Sequence, residues 1–475
     1  MRTTLALAAL LVLAGPALAQ DGRIDVPYER FRLPNGLTVF LHRDPSVPVI
    51  ASNIWFHVGS AHERPGRTGF AHLFEHIMFM GSENVPLGKI DEWFEEFGGS
   101  PNGSTTRDRT NYMQSFSSNA LEMALFIESD RMGHLLGAMS PEVVDAQRSV
   151  VMNERRQSYD NRPYGLAHQL LSEELYDAGH PYHWPVIGYM DDLGAASYDD
   201  VVHFFRTYYA PNNATLALAG DLDPAEARRL VEKWFGEIPA GAAPPPLDAP
   251  APRLTETKRI ALEDRVQLPR LYMAWLTAPA YSEDDAALTA LGRLLAGGKN
   301  SRLYRRLVYE LQIADDVSAS QRGGKLAGEF VISATARAGH TLAELERVIL
   351  EEIERIKAES PESRELERIV NQYEIAFLER LETVAARADQ LNAYYFYTGE
   401  PNYFNEDLAR YRALEPRSLS DAAARYLDRD RRVVLSIVPS GRTDLAVPES
   451  RLIPGDDLML SPSGRGATAS EEVQP

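Results

Sequence analysis

Apolar residues recur at Leu342, Leu345, Ile349, Ile353 and Ile356, a spacing that predicts a helix over Thr341–Ile356 with one buried stripe. Pro141 to Asp160 also reads as helix, with Ser140 as N-cap and Pro141 at the first helical position. Four other runs read as strands: Val39–Val58, broken at Pro45, Leu268–Leu276, Thr215–Ala219 and Val433–Val438. Each half of the chain opens on strand-like runs, continues into helices, and closes on a helix followed by a β-rich run. The halves therefore look like distant repeats in pattern, though not in identity. Helices mixed with a mixed sheet in each half predict an α+β fold.

The clearest break in this pattern is Pro239 to Pro252, Pro-Ala-Gly-Ala-Ala-Pro-Pro-Pro-Leu-Asp-Ala-Pro-Ala-Pro. Such a segment forms neither helix nor sheet interior and favours an extended linker. It divides the chain into a first domain over 20–238 and a second over 253–460, with a polar tail over 461–475 expected to be disordered. Residues 1–19 read as a secretory signal peptide: Arg2 supplies the positive start, Leu5–Leu13 the apolar core, and Ala17-Leu18-Ala19 the small-residue cleavage site. This predicts export to the periplasm, with no membrane anchor left after cleavage. The 475 residues exceed one typical domain. Cysteine is absent, so disulfides and thiolate ligands are excluded and any metal site must use His and carboxylates. A formal net charge of −19 argues against nucleic-acid binding.

Candidate chemistry concentrates in Gly69-Phe70-Ala71-His72-Leu73-Phe74-Glu75-His76-Ile77-Met78-Phe79-Met80. His72 and His76 stand four residues apart and share one helix face, with Glu75 beside them. Two imidazoles so placed can hold one metal ion, and the adjacent carboxylate suits a general base. The flanking apolar residues bury the helix, so its polar groups need partners. A catalytic zinc site has three protein ligands and an open position. Glu154 follows His76 by 78 residues and lies within the helix expected after Ser140.

The His-x-x-Glu-His order followed by a carboxylate at this separation resembles the zinc peptidases of the pitrilysin, insulin-degrading enzyme and mitochondrial processing peptidase family, the inverzincins. Further segments carry the resemblance: Arg32–Val39 with an Asn35-Gly36 turn, Gly59-Ser60-Ala61-His62-Glu63 before the metal helix, Trp184-Pro185-Val186-Ile187-Gly188 with Leu193, and Tyr208–Asn213 leading to Gly220-Asp221. The resemblance implies two homologous α+β domains forming half or all of a clam-like chamber. It also implies one Zn2+ per chain held by His72, His76 and Glu154, with Glu75 as general base for the water that hydrolyses a peptide bond. Asn102, in Asn102-Gly103-Ser104-Thr105, matches an edge-strand segment against which an extended peptide adds; an ordinary Pro-Asn-Gly turn is the other reading of these residues.

Two positions depart from the family pattern. Gln147 stands seven residues before Glu154, where the family has a supporting Glu. In the second half, the Gly297–Leu303 segment sets a frame in which the family's substrate-clamping Arg and Tyr fall on Val308 and Asp315. Arg302 and Tyr309 have the right mutual spacing but lie too early. The chain is expected to own the metal half of a site and lack the clamp, which implies a paralogous partner subunit carrying that Arg and Tyr. The alternative is a non-catalytic scaffold or assembly subunit of the same fold.

Overall fold

The computed structural model describes residues 23–465, so the expected signal segment and the tail from residue 466 lie outside the described residues. Among the described residues, twelve strands form two six-stranded sheets. The first contains β1 (Glu29–Arg32), β2 (Thr38–Arg43), β3 (Val49–Phe56), β4 (Asn102–Thr105), β5 (Thr110–Ser117) and β6 (Ala214–Gly220) in the order β1-β2-β6-β3-β5-β4. The second contains β7 (Lys258–Asp264), β8 (Arg270–Thr277), β9 (Ala314–Gly323), β10 (Gly328–Ala336), β11 (Val433–Pro439) and β12 (Arg451–Ile453) in the order β12-β7-β11-β8-β10-β9. Five strands of one sheet match five of the other in position and direction. β2 is parallel to β6 as β7 is to β11, and the remaining neighbours in both sets are antiparallel. Only the outermost strand differs, β1 being antiparallel and β12 parallel to its neighbour. The repeat expected from the pattern is therefore real at the level of topology.

Five helices build the metal-ligand cluster and the seam between the halves: α1 (Phe70–Ile77), α2 (Pro141–Arg155), α3 (Ala167–Leu175), α4 (Asp285–Ala296) and α5 (Val384–Thr398). Every residue of β6 is buried, as a continuous apolar run requires when both sheet faces are covered. Leu216 and Leu218 enter the core that also holds Phe70, Leu73 and Phe74 of α1. Ala217 and Ala219 point the other way, where small side chains let α5 pack close through Ala388, Leu391 and Tyr394. Helix α5 belongs to the second half of the chain. In return, α3 of the first half places Ala167, Leu170 and Leu171 against Leu262, Leu435 and Ile437 of the second sheet. The Pro-rich stretch 239–252 does run without regular secondary structure, but the units it joins have exchanged a helix each.

The start of the expected tail differs from the sequence reading. Residues 462–465 are helical, and Ser461 is buried with its hydroxyl donating to Asp191 at 2.6 Å. Small polar residues gain order here because fixed carboxylates of the first half receive them.

Candidate metal centre

Helix α1 is two turns long and starts at Gly69, which has no side chain to cap it. Glu63 takes over, accepting from Gly69 N at 2.9 Å and Ala71 N at 2.7 Å. A carboxylate satisfies the free N–H groups of a first turn and suits its positive dipole end. Phe70, Ala71, Leu73, Phe74 and Ile77 are buried, which leaves His72, Glu75 and His76 on the remaining face. Helix α2 begins as expected, with Ser140 Oγ accepting from Val143 N, and buries Val144 and Val151. Glu154 sits one residue before its end, immediately ahead of a π-helical turn over Arg156–Asp160.

The two helices bring three ligand atoms together. His76 Nε2 lies 3.2 Å and His72 Nε2 3.8 Å from Glu154 Oε2. All three lie within 4.8 Å of one another, and no other group of this kind occurs among the described residues. Bonds of about 2.1 Å in a tetrahedral site separate ligand atoms by roughly 3.4 Å, so this donor set fits zinc. Burial pushes His72 down to about 4 against the pull of Glu154, so its imidazole is neutral near pH 7, the form that binds a metal. The hydrogen bond from His76, ahead of the opposing effect of burial, holds Glu154 below the ordinary carboxylate range. His72 Nδ1 is buried without a hydrogen-bond partner among the described residues.

Glu75 stands against the edge strand. Thr105 Oγ1 donates to its Oε2 at 2.5 Å, and a Cβ on Gly103 would lie 2.9 Å from its Cγ. Burial raises the Glu75 carboxyl above its ordinary value, while the Thr105 hydroxyl and His76 oppose the shift. Sequence reasoning named neither Gly103 nor Thr105 as a contact of Glu75, although both lie in the segment it singled out. β4 is an edge strand and not merely a turn. Asn102, however, is exposed and accepts from its own neighbour, Gly103 N, at 2.9 Å. Strand alternation puts Asn102 and Ser104 on the face opposite Gly103 and Thr105. Ser104 bonds Asn111, Asn111 bonds Asn53, and Asn53 reaches Asp389 on α5.

Gln147 donates to Met80 Sδ, just past α1, and so braces that segment without touching a ligand atom. In the sequence Glu63 reads only as part of the loop before α1, and its separation from the helix gives no sign that it caps it. In the second half, Val308 is buried in the core and Asp315 pairs with Arg337. Arg302 is held by Glu352 and Glu365, and Tyr309 is 73% exposed. None of these four takes part in the metal cluster. His183 Nδ1 donates to Tyr176 O, and His180 Nδ1 accepts from Tyr182 N; both histidines serve the packing of their loop.

The family model described as insulinase, peptidase family M16, matches residues 38–182, the span that contains His72, Glu75, His76 and Glu154. The model described as the peptidase M16 inactive domain matches residues 195–373. A zinc protease of Helicobacter pylori, PqqE, is 28% identical over 384 residues, covering 79% of this chain and 84% of its own length. A probable mitochondrial-processing peptidase subunit beta of Arabidopsis thaliana is 23% identical, covering 87% of this chain and 80% of its own. The crystal structure of a protease from Helicobacter pylori superposes with a TM-score of 0.82 at 26% identity, over 87% of this chain and all of that one. With both halves matched and the candidate ligands inside the first match, the chain belongs to the insulinase family, peptidase family M16.

Proposed function

We propose that this chain is a zinc-dependent peptidase in which His72, His76 and Glu154 hold one Zn2+ and Glu75 is the general base. The convergence of those three ligand atoms, with Glu75 on the same helix face, carries the reading. Bound zinc supplies Lewis acidity and lowers the pKa of water toward neutrality. Glu75 takes the proton of the attacking water and passes it to the leaving amine. Burial shifts its carboxyl upward from the ordinary value, the direction that favours a group which must both take up and return a proton. The free edge of β4 accepts an extended peptide by strand addition, with Gly103 and Thr105 lining the side that faces Glu75.

The second half contributes no clamp to this site, since Val308 is buried and Arg302 is committed to Glu352 and Glu365. A paralogous chain carrying the missing Arg and Tyr completes the chamber, and the likeness to a processing-peptidase subunit supports this. The Arg2–Ala19 segment directs export and is cut after Ala19. Among the described residues no helix is long and apolar enough to cross a membrane.

The test is metal analysis with peptide hydrolysis on native and Glu75→Gln protein, with and without the co-purifying chain. About one zinc per chain is expected in both proteins, with hydrolysis only in the native one. Adding the partner should raise kcat/KM by ~10²-fold, the scale of lost positioning. Native-rate hydrolysis by Glu75→Gln overturns the base assignment. Zinc without hydrolysis, whatever the partner, supports a scaffold role.

A further inference from the structure

Arg155, the neighbour of Glu154, has no exposed surface. Its guanidinium donates to Gly188 O, to Gln169 Oε1 at 2.9 Å and to Leu458 O at 2.9 Å. Gln169 Nε2 also donates to Leu458 O, at 2.8 Å. One backbone carbonyl, 303 residues downstream of Arg155, thus receives two donors from the metal half. Leu458 is itself fully buried against α3, in the cluster of Ala167, Leu170 and Leu171. Beyond it, Ser461 N and Oγ donate to Asp191 at 2.8 and 2.6 Å, and Arg465 makes two contacts of 2.8 Å to Glu173.

Gly188 links this network to the other ligand helix. It packs so closely on Gly69, where α1 begins, that a side chain at 188 would collide with the Gly69 backbone. Arg155 therefore ties together the end of α2, the start of α1 and the C-terminal segment. Burying a guanidinium is costly unless its donors are met. Here Nη1 and Nη2 meet three fixed acceptors, with Asp160 Oδ1 3.6 Å from Nη2, while Nε has no hydrogen-bond partner among the described residues. The proposed hydrolysis uses none of these groups. A rotation of α2 by one residue, about 100°, would swing Glu154 away from the two histidines.

We propose that Leu458–Arg465 is a strap that positions Glu154 through Arg155, so that the far end of the chain sets the geometry of the metal centre. This rests on Glu154 being a metal ligand. Arg155 is a positioning residue, since it touches neither substrate nor metal. Arg155 reaches these acceptors from two separated nitrogens of one rigid plane, whereas Lys carries all its donors on a single nitrogen and cannot reproduce that spacing.

The test uses the full-length chain with Arg155→Lys, with a Ser461→Ala/Arg465→Ala double variant, and with Leu291→Ala in the second half as a stability control. Zinc dissociation constants come from competition with a chelator, and kcat, KM and thermal midpoints are measured separately. Arg155→Lys should raise the zinc dissociation constant by about 10–100-fold, the range for groups that support metal ligands. It should lower kcat with KM little changed. The double variant should shift both at least threefold in the same direction, while Leu291→Ala lowers the thermal midpoint and leaves zinc affinity native. Native zinc affinity and kcat in the strap variants overturn the strap, as does an affinity loss that merely tracks the thermal midpoint. If Arg155→Lys does not fold, the double variant decides alone. A native chain that binds no zinc overturns the site reading and the strap together; a native chain that binds zinc beside unaffected variants overturns the strap only.

Discussion

Helices α1 and α4 occupy matching places, each following the matching strand, β3 or β8, of two sheets with the same order and direction. Their sequences serve opposite ends. α4 buries Ala286, Ala287, Leu288, Ala290, Leu291, Leu294 and Leu295 and carries no ligand type on its inner faces. α1 is shorter and keeps His72, Glu75 and His76 half-buried at the edge of its core. The edge strands differ in the same sense. β4 has four residues, with Gly103 opening space for Glu75, whereas β9 has ten. One copy of the repeat leaves candidate ligands half-buried at the edge of its core, and the other fills the matching place with apolar packing.

That contrast predicts where damage falls. The largest effect should come from His72→Ala, His76→Ala or Glu154→Ala. Each removes one of three ligands, so zinc should be lost and hydrolysis should fall at least ~10³-fold, because Lewis-acid stabilisation is worth several kcal/mol. The fold should survive, as measured by circular dichroism. Full zinc occupancy after replacing both histidines would refute the site.

Next comes Gly103→Ala. The new methyl group would meet the Glu75 side chain at 2.9–3.2 Å and displace it. Zinc content should stay native while kcat falls roughly 10–100-fold, as small misplacements of catalytic groups do. Native kcat in this variant would mean that Glu75 does not depend on the β4 wall.

In the other half the expected readout reverses. Leu291→Ala in α4 should cost about 2–5 kcal/mol of stability through a buried cavity, measured by denaturant unfolding, while zinc binding is unchanged. If zinc affinity falls as well, the division of labour between the halves is weaker than the comparison holds.

The smallest effect concerns the seam between the halves. Hydrogen bonding from Ser46, reinforced by Arg387, lowers Asp44 to about 2 from an ordinary 3.8, and Arg387 lies across the seam on α5. A carboxylate depressed in the folded state adds stability that is complete above its unfolded pKa. That stability is lost as pH falls from about 4 through about 2. Asp44→Asn should flatten acid unfolding in that window by a small amount and leave neutral-pH hydrolysis native.

Much of this was legible in residues alone. Four residues make a helix turn, so His72 and His76 were readable as a pair, and Ser140-Pro141 marked the start of α2. The apolar stripe over Thr341–Ile356 became the helix Leu342–Ala358, capped by Thr341. Pattern also foretold two α+β halves. These are local properties: backbone geometry, capping and periodicity act within a turn or two of the residues that encode them.

Contacts between distant segments were decided only by the tertiary structure. The meeting of Glu154 with His72 and His76 depends on two helices packing on one core. Gly103 and Thr105 face Glu75, and Asn102 does not, because the register of β4 on β5 sets which side each residue faces. The exchange of α3 and α5 follows from small alanines on one sheet face and apolar surface on another, which no single segment displays. The capture of Leu458 by Arg155 likewise joins groups that sequence separates by 303 residues. Spacing along the chain says nothing of such pairs, since their proximity is fixed by the burial of whole faces and by the order of strands.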